Sequence, residues 1–467
     1  MPYKKITEED IEHLKRIDGV KHVFVDEESL NDNAHDHTED LKYLPEVVVE
    51  PITVGAISEL MKYCNANNIP VTPRGAGTGL SGGALPVHGG VVLNMKRLNK
   101  VIELDKRNLQ VTVEPGMITQ ELQDIVAAEG LFYPPDPASK GSCFIGGNVS
   151  ENSGGPKAVK YGVVKDYVLN LEVVLPSGDV IWTGANVLKN ATGYNLTQLL
   201  VGSEGTLGIV TKIVLRLIPA VKHNMLVLVP FRSAIEACKA VNAIFLAGYT
   251  PSCMEFMERD ALEWSIKFTG ETVIKLQEDI QAHLLIEVDG NEVELLYKEI
   301  EGITEILEGF DIGEVLFADS HEQKEMLWSL RRKVGEAVKS NSIYKEEDTV
   351  VPRAELPQLL DIVKRLGKEY GFKSVCYGHA GDGNLHINII KGSMSDDDWN
   401  NKLTNGIAAL FKEVVKLGGT ISGEHGIGLV QKGYMPIAFN GTQLGLMKQI
   451  KQVFDPNGIL NPGKIFE

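Results

Sequence analysis

A glycine-dense segment, Pro73 to Pro86 with the sequence PRGAGTGLSGGALP, limits what this chain can fold into more than any other feature. Gly77, Gly79 and Gly82 match the G-x-G-x-x-G pattern of dinucleotide-binding folds, which requires a helix to begin in the loop. The glycines and prolines that follow disfavour a helix before the next apolar run, VVLNM. The segment therefore predicts a strand, a loop and a second strand, with backbone amides that could bind a pyrophosphate. The alternative is a tight surface turn.

Two further stretches, residues 134–162 and 193–211, are also rich in glycine and small polar residues. Glycine lets a ligand approach the backbone closely, so three such loops in one region predict a single long ligand. Side chains with hydrogen-bonding groups accompany the glycines: Ser150, Asn152, Ser153 and Thr206. For any one loop, the alternative is a loop-rich β region packed with small residues.

Composition excludes several classes of partner. The net charge of −17 disfavours nucleic acids and anionic membrane surfaces, whose phosphates it repels. The five cysteines are scattered without a C-x-x-C motif, which indicates a reducing compartment rather than a disulfide framework. The N-terminus has no apolar signal region and no segment approaches the roughly 20 apolar residues of a membrane span. We therefore expect a cytoplasmic protein, either free or attached at the periphery of a membrane.

The chain organisation indicates an α+β protein. A length of 467 residues predicts two or three domains. Residues 1–44 read as a mobile or peripheral lead-in, with an amphipathic helix over residues 7–17 and a polar stretch over residues 26–41. Alternating strands and helices then predict one domain over residues 45–219 and a second over residues 220–467. In this second domain, one long helix is expected over residues 322–338 and another helix near the end of the chain.

A predicted hairpin carries two histidines. Residues 375–390, VCYGHAGDGNLHINII, contain two strand-like runs around Asp382-Gly383, a pair typical of a type I′ turn. A turn centred there would place His379 directly opposite His386, with Cβ atoms about 5 Å apart. Tyr377 and Asn388 would share that face. The two imidazoles could bind one divalent ion, or they could be a stacked core pair or a solvated pair.

The later segment GGTISGEHGIG supplies two further reactive groups, Glu424 and His425. A carboxylate is a suitable third metal ligand, and the adjacent histidine is a candidate general base. This segment favours the metal interpretation of the hairpin.

Taken together, PRGAGTGLSGG, PPDPAS, GGNVSENSGGP, VGSEGTLGIVT and the terminal NPGK resemble the FAD-linked oxidases of the vanillyl-alcohol-oxidase superfamily. The branch that the chain resembles is the flavin-dependent D-2-hydroxyacid dehydrogenases, which includes D-lactate dehydrogenases and glycolate oxidase catalytic subunits. The resemblance implies a two-part FAD-binding domain and an α+β substrate-cap domain, with the tail, residues 454–467, returning to the flavin domain. It also implies non-covalent FAD, because the first loop contains neither His nor Cys. The residues that it assigns to FAD binding are Pro73, Arg74, Gly75, Ala76, Gly77, Thr78, Gly79, Gly82, Gly83, Pro135, Asp136, Ser142, Gly146, Gly147, Asn148, Ser150, Asn152, Ser153, Gly154, Tyr161, Glu204, Gly205, Gly208, Ile209 and Asn461.

The same resemblance assigns roles in the second domain. It implies a zinc or manganese ion bound by His379, His386 and Glu424, with His425 as the base. The segment LWSLRRKVGEAV resembles the family's substrate-binding helix, which maps the carboxylate-binding arginine to Arg331. Asn388 and Lys345 match two further substrate-binding positions.

The activity implied is FAD-dependent oxidation of a D-2-hydroxy acid to the 2-oxo acid, with D-lactate first and glycolate next. A D-2-hydroxyglutarate substrate is the alternative. Two departures disfavour it: Lys345 lies one residue short of the family spacing, and Gly335 replaces a hydroxyl residue. The sequence has no nicotinamide or iron–sulfur motif, so we expect a quinone, an electron-transfer flavoprotein or an iron–sulfur subunit as the acceptor. A homodimer is compatible with the sequence.

Three other functions agree less well with these motifs. A non-redox flavin transferase such as the ether-lipid synthases shares the fold, but we identify no long apolar channel for its lipid substrate. A metallohydrolase using only the histidine and glutamate cluster would leave the three glycine loops unexplained. A flavin-binding subunit without its own chemistry is disfavoured by His425 beside Glu424.

Overall fold

The structure is a computed structural model that describes residues 2–38, 41–272 and 274–466. Among these residues, no helix combines the length and the apolar character that crossing a bilayer requires. The helices are α1 (Glu8–Arg16), α2 (Glu27–Asp32), α3 (Val54–Asn67), α4 (Thr119–Ala127), α5 (Ile145–Glu151), α6 (Ala158–Tyr161), α7 (Leu196–Leu200), α8 (Ala234–Leu246), α9 (Arg259–Thr269), α10 (Val293–Leu307), α11 (His321–Arg332), α12 (Val334–Asn341), α13 (Leu356–Tyr370), α14 (Leu403–Lys416), α15 (Met435–Ala438) and α16 (Gly441–Phe454). The strands are β1 (Val20–Phe24), β2 (Val47–Pro51), β3 (Val71–Arg74), β4 (Val91–Asn94), β5 (Val101–Asp105), β6 (Gln110–Val113), β7 (Leu131–Phe132), β8 (Val168–Val174), β9 (Val180–Trp182), β10 (Ile209–Arg216), β11 (Ile218–Pro219), β12 (His223–Phe231), β13 (Cys253–Glu258), β14 (Ala282–Gly290), β15 (Leu316–Ala318), β16 (Tyr344–Val350), β17 (Lys373–Gly378) and β18 (Asn384–Ile390).

The chain forms two units that are each discontinuous in sequence. The first unit comprises Met1–Gly154, Val163–Ala220 and Glu424–Glu467. The second comprises Gly155–Gly162 and Val221–Gly423. Strands and helices are mixed in both units, which confirms the predicted α+β class.

The described strands of the first unit form three sheets. A four-stranded sheet has the order β1-β2-β4-β3, in which β2, β4 and β3 are parallel and β1 is antiparallel to β2. An antiparallel sheet has the order β5-β6-β10-β8-β9, and β11 pairs with β7. The chain tail reaches the first sheet, since Asn461 N donates to Val71 O at 2.7 Å and Leu460 forms a parallel bridge with Val71. Residue 467 of the predicted tail lies outside the described residues.

The N-terminal residues are part of the first unit's core rather than a mobile or peripheral lead-in. The helix predicted over residues 7–17 is α1, whose first turn is closed by a capping box between Thr7 and Asp10. Leu14 and Ile17 are buried in the same apolar cluster as β2, β3 and β4. The burial of these apolar side chains anchors the segment to the core. The polar residues that follow α1 favoured a peripheral position instead. That stretch contains α2, and its residues 39 and 40 lie outside the described residues.

The second unit is built on a seven-stranded antiparallel sheet with the order β15-β12-β14-β13-β17-β18-β16. Helices α9, α11 and α12 pack against one face through an apolar cluster that includes Met257, Trp328, Val334 and Tyr377. The long helix predicted over residues 322–338 is two helices, because Lys333 between α11 and α12 has non-helical backbone angles (φ −88°, ψ 0°).

Side chains alternate between the faces of a strand, so the cluster identifies what else lies on this helix-covered face. Cys253 and Met257 of β13 belong to the cluster, which places Glu255 on the same face. Tyr344 of β16 and Ile390 of β18 also belong to the cluster. Residues an even number of positions away on these strands, Glu346, Asp348, His386 and Asn388, therefore lie on the same face. We use the name polar face for the polar residues on this helix-covered side of the sheet, which come from β13, β16, β17 and β18: Glu255, Glu346, Asp348, Tyr377, His386 and Asn388, with His379 directly after β17.

Candidate active site

The first unit brings the predicted glycine loops together. The first loop follows β3, and a Cβ built on Gly75 would lie 3.9 Å from the backbone of Gly147 in the second loop. Asn461 joins the first and third loops, because its side-chain amide donates to Gly83 O at 3.0 Å and to Glu204 O at 2.8 Å. Glu204 N also donates to Ser150 O at 2.8 Å. The first and third loops and the second loop up to Gly154 therefore form one connected surface within this unit.

Two partly buried glycines of this surface are not explained by the chain's own packing. A Cβ built on Gly79 or on Gly147 would meet no heavy atom within 4 Å. Neither residue is among the glycines that have positive φ. By contrast, Gly146 lies against Pro115, where a Cβ would come within 2.5 Å of the ring. The open space at Gly79 and Gly147 fits a ligand that approaches the backbone, as a flavin dinucleotide would.

Several polar side chains expected to contact the cofactor make hydrogen bonds to other groups of the protein. The Ser150 hydroxyl donates to Gly146 O at 2.9 Å, and Asn152 Oδ1 accepts from Lys165 N. The Asn148 amide donates to Thr119 Oγ1 at 2.6 Å. Tyr161 belongs to the second unit, where its hydroxyl donates to Asp289. The flavin contacts of these four residues stay predictions.

Glu204 anchors the segment that contains the predicted base. Its carboxylate accepts from Ile427 N at 2.7 Å and from Gly428 N at 2.6 Å. Burial raises the pKa of Glu204 to about 7, although these two amides and Lys464 act in the opposite direction. Burial and the charge of Glu204 also raise the pKa of Glu151. A Cβ built on Gly426 would come within 2.1 Å of Glu151 Oε2, so this carboxyl group lies against the same segment.

Glu424 and His425 begin the last segment of the first unit. A Cβ on Gly154 would come within 2.9 Å of Glu424 Oε2, so this carboxylate lies against the second glycine loop. Gly423, the residue before Glu424, donates its amide to Asp348 Oδ2 at 2.8 Å.

The hairpin of the second unit differs from the predicted register. Tyr377, not His379, lies opposite His386, so the strand pairing is shifted by two residues from the prediction. The turn contains the four residues 380–383 and is closed by Asn384 N donating to His379 O. Gly383 has positive φ but Asp382 does not, which rules out a type I′ turn. The shift is two residues, and side-chain direction repeats every two, so Tyr377, His386 and Asn388 still share a face.

The two histidines lie close together on the polar face. The ring centroids of His379 and His386 are 5.6 Å apart, and both residues are buried. Two carboxylates lie near His386 Nδ1, with Glu346 Oε1 at 3.2 Å and Asp348 Oδ1 at 3.9 Å. This arrangement of imidazoles and carboxylates suits a divalent cation.

Arg331 reaches the polar face from α11. It is buried, and its guanidinium carbon lies 5.0 Å from the centre of the Tyr377 ring. Its Nη2 is 2.6 Å from Glu255 Oε2, a fully buried carboxylate that also accepts from His379 Nδ1 at 2.8 Å. Among the described residues, Arg331 Nε and Asn388 Oδ1 are buried without a hydrogen-bond partner. A ligand with both an acceptor and a donor could satisfy these two buried groups.

Lys345 is not brought together with these residues. It alternates with Tyr344 and Glu346 on β16, so its side chain lies on the opposite face of the sheet. Its ammonium lies 5.2 Å from the ring centre of Trp399. Gly335, which replaces a hydroxyl residue of the D-2-hydroxyglutarate enzymes, lies near the polar face. A Cβ built on it would be 3.3 Å from the Tyr377 hydroxyl.

The sequence interpretation missed three acidic residues of the polar face: Glu255, Glu346 and Asp348. The available signal was the alternation of the strand runs CMEFME and YKEEDTV, in which these carboxylates occupy the same-face positions. Acidic residues are uncommon in buried strands unless they are paired, so their presence there indicated a polar site.

Comparisons with known proteins agree with this architecture. The family model for FAD binding domains matches residues 45–184, and the model for the C-terminal domain of FAD linked oxidases matches residues 220–465. The chain is 38% identical over 468 residues to the D-lactate dehydrogenase of Anaerostipes hadrus, covering 99% of this chain and 98% of that protein. It is 38% identical over 436 residues to glycolate oxidase subunit GlcD of Bacillus subtilis, covering 93% and 91%.

Among solved structures, p-cresol methylhydroxylase with substrate bound has a similar fold, with a TM-score of 0.78 and 19% identity, covering 99% of this chain and 98% of that chain. The family models together match more than half of the chain, and both relatives are similar over nearly their whole length. The chain therefore belongs to the FAD-linked oxidases of the vanillyl-alcohol-oxidase superfamily and is an FAD-dependent oxidoreductase.

Proposed function

We propose that the protein oxidises a D-2-hydroxy acid to the 2-oxo acid, with D-lactate as the preferred substrate and glycolate next. The polar face carries this proposal, because Arg331 Nε and Asn388 Oδ1 are buried without a hydrogen-bond partner among the described residues. A guanidinium binds a carboxylate, and an amide oxygen accepts from a hydroxyl. A 2-hydroxy acid carries those two groups on neighbouring carbons. The names of the D-lactate dehydrogenase and glycolate oxidase relatives support the same substrate class.

The glycine loops of the first unit hold the cofactor. Bound FAD would accept the hydride from the α-carbon of the substrate, which is the redox chemistry that a flavin supplies. The open backbone at Gly79 and Gly147 would let its pyrophosphate approach closely. His425 takes the proton of the substrate hydroxyl on a ring nitrogen, so the substrate loses one hydride and one proton.

We propose that His379, His386 and Glu424 bind one divalent ion, zinc or manganese. The donor set fits, since imidazole and carboxylate are usual ligands of both ions. His379 Nδ1 is hydrogen-bonded to Glu255, so the neutral ring has its lone pair on Nε2. A bound ion would polarise the hydroxyl and carboxylate oxygens of the substrate.

The charge of the polar face favours a monocarboxylic acid. Glu346 lies directly opposite Asn388 in the β16–β18 pairing, and Tyr377 Oη is 3.4 Å from its Oε1. A second carboxylate on the substrate would be repelled by Glu346 and would not reach Lys345 on the opposite face. These two features support lactate or glycolate over 2-hydroxyglutarate.

The electrons need an acceptor outside this chain. One relative is named as a subunit of glycolate oxidase, which supports transfer to a separate component. We propose a quinone, an electron-transfer flavoprotein or an iron–sulfur subunit.

Anaerobic reduction of the bound flavin tests the proposal. The loaded protein is mixed with D-lactate, L-lactate, glycolate and D-2-hydroxyglutarate, and the visible absorbance of oxidised flavin is followed. We expect D-lactate to bleach the flavin fastest, glycolate more slowly, and L-lactate and the diacid least. If dithionite bleaches the flavin but none of the acids does, the proposed function is wrong.

A further inference from the structure

We propose that Glu255 is a positioning residue that orients His379 and Arg331 at the same time. This inference rests on the proposed function of the polar face. It extends that function by naming a shared support for the metal site and the carboxylate site, which lie on different elements.

Glu255 is in an unusual position for a carboxylate. It lies in the middle of β13, its side chain is 0% exposed, and its same-face neighbours Cys253 and Met257 belong to the apolar cluster. A buried carboxylate without partners would be strongly unfavourable. His379 and Arg331 are the partners that compensate the burial of Glu255.

Both partners of Glu255 are predicted to contact ligands. The Nδ1 atom of His379 is 2.8 Å and 2.9 Å from the two carboxylate oxygens, so the N–H is shared between them. This bond fixes the ring and its tautomer, with Nε2 as the nitrogen that can bind a metal.

The second partner, Arg331, is held by one charged contact, Nη2 to Oε2 at 2.6 Å. The guanidinium is thereby fixed over the Tyr377 ring, while its Nε makes no hydrogen bond to the described residues. The single carboxylate thus connects α11 to the turn after β17. A displacement of Glu255 would disturb both ligand-binding groups together.

The chain offers a matched control on the same strand. Glu258 is also a buried carboxylate of β13. It pairs with Lys364 at 2.7 Å and accepts from Cys376 N, on the opposite face of the sheet. Glu258→Gln therefore removes a comparable buried charge without touching His379 or Arg331.

The experiment compares Glu255→Gln, Glu255→Asp and Glu258→Gln in the FAD-loaded protein. Each protein is stripped of metal and titrated with Zn²⁺ alone against a competing chelator, and KM and kcat for D-lactate are measured separately. We expect Glu255→Gln to weaken zinc binding by about 10- to 100-fold, the range for loss of a partner that orients a metal-binding histidine. We also expect it to raise KM, while Glu258→Gln changes neither value more than about twofold. Glu255→Asp, which keeps the charge, should recover part of the zinc affinity.

Two results would overturn the inference: parent zinc affinity and parent KM in Glu255→Gln, or a loss confined to one of the two measurements. If Glu255→Gln does not fold, Glu255→Asp provides the same comparison, and parent values there would also overturn it. Failure of the proposed function is distinguishable. A parent protein that binds zinc but oxidises no 2-hydroxy acid would contradict the function, while the effect of Glu255 on zinc affinity would still be measured.

Discussion

The open space at Gly79 gives a prediction that separates cofactor binding from folding. In Gly79→Val the new side chain meets no protein atom near its Cβ, and Gly79 does not have positive φ. We therefore expect the free energy of unfolding of the FAD-free protein to change by no more than about 0.5 kcal/mol, as for other unstrained surface positions. If the flavin pyrophosphate approaches this backbone, the same side chain fills its space and FAD is lost.

The comparison variant is Gly77→Ala. Gly77 has φ +74° and its Cβ position is 2.4 Å from Arg74 Nη2, so alanine is strained there even without FAD. A side chain in such a conformation lowers the free energy of unfolding by about 1–3 kcal/mol. For a unit of this size, each kcal/mol lost lowers Tm by about 2–4 °C. Gly77→Ala should thus lower the Tm of the FAD-free protein by several degrees, whereas Gly79→Val should not.

The assay measures FAD per chain after gel filtration, FAD affinity by fluorescence titration of the apoprotein, and Tm of the apoprotein. Gly445→Ala in α16 is the control, because its Cβ also meets open space, but within a helix distant in sequence from the glycine loops. It should keep full FAD and gain up to about 1 kcal/mol from helix propensity. Full FAD affinity in Gly79→Val would show that the pyrophosphate does not approach this residue.

Three further predictions concern single side chains. Arg331→Lys keeps the charge beside Glu255 but loses the planar guanidinium, so KM for D-lactate should rise about tenfold. Lys345→Met should leave KM unchanged, and equal effects of the two substitutions would contradict the assignment of Arg331 as the carboxylate-binding residue. His425→Ala should lower the rate of anaerobic flavin reduction by about 10² to 10⁴ with little change in substrate affinity, and a parent rate in stopped flow would place the base elsewhere. Glu204 has its pKa raised from 4.5 to about 7 by burial, and a raised carboxyl pKa contributes stability that is complete below pH 4.5 and is lost as pH rises through 7. This rise corresponds to about 3 kcal/mol, so Glu204→Gln should flatten the decline in unfolding free energy between pH 5 and 7; an unchanged slope in denaturant titrations would refute it.

The glycine loops were predictable because their signal is local. A helix cannot follow Gly83 and Pro86 closely, and this alone excludes a dinucleotide fold of the Rossmann type. The sequence could not show which glycines serve the fold and which leave room for a ligand. Gly146 lies against Pro115, while Gly147 beside it faces open space, and only tertiary packing distinguishes the two.

The hairpin shows why a wrong register still gave a correct face. The Asp382-Gly383 pair suggested a two-residue turn, but Asn384 N bonds to His379 O and closes a four-residue turn. Val351, which lies outside the hairpin, donates its N–H to Gly383 O in this turn, and such a tertiary contact leaves no signal in the hairpin sequence. Because the error was an even number of residues, His386 and Asn388 stayed on the predicted face, whereas an error of one residue would have reversed it.

Glu255 was beyond sequence reasoning for a different reason. Its two partners lie 76 and 124 residues further along the chain, and neither contact leaves a local pattern in the run CMEFME. A buried carboxylate is stable only if distant parts of the chain supply compensating charges, and here Arg331 and His379 do so. Both residues were identified individually by resemblance to known substrate and metal positions. The sequence could not reveal that one carboxylate contacts both residues. The proposed dependence of substrate binding and metal binding on Glu255 rests on these two contacts.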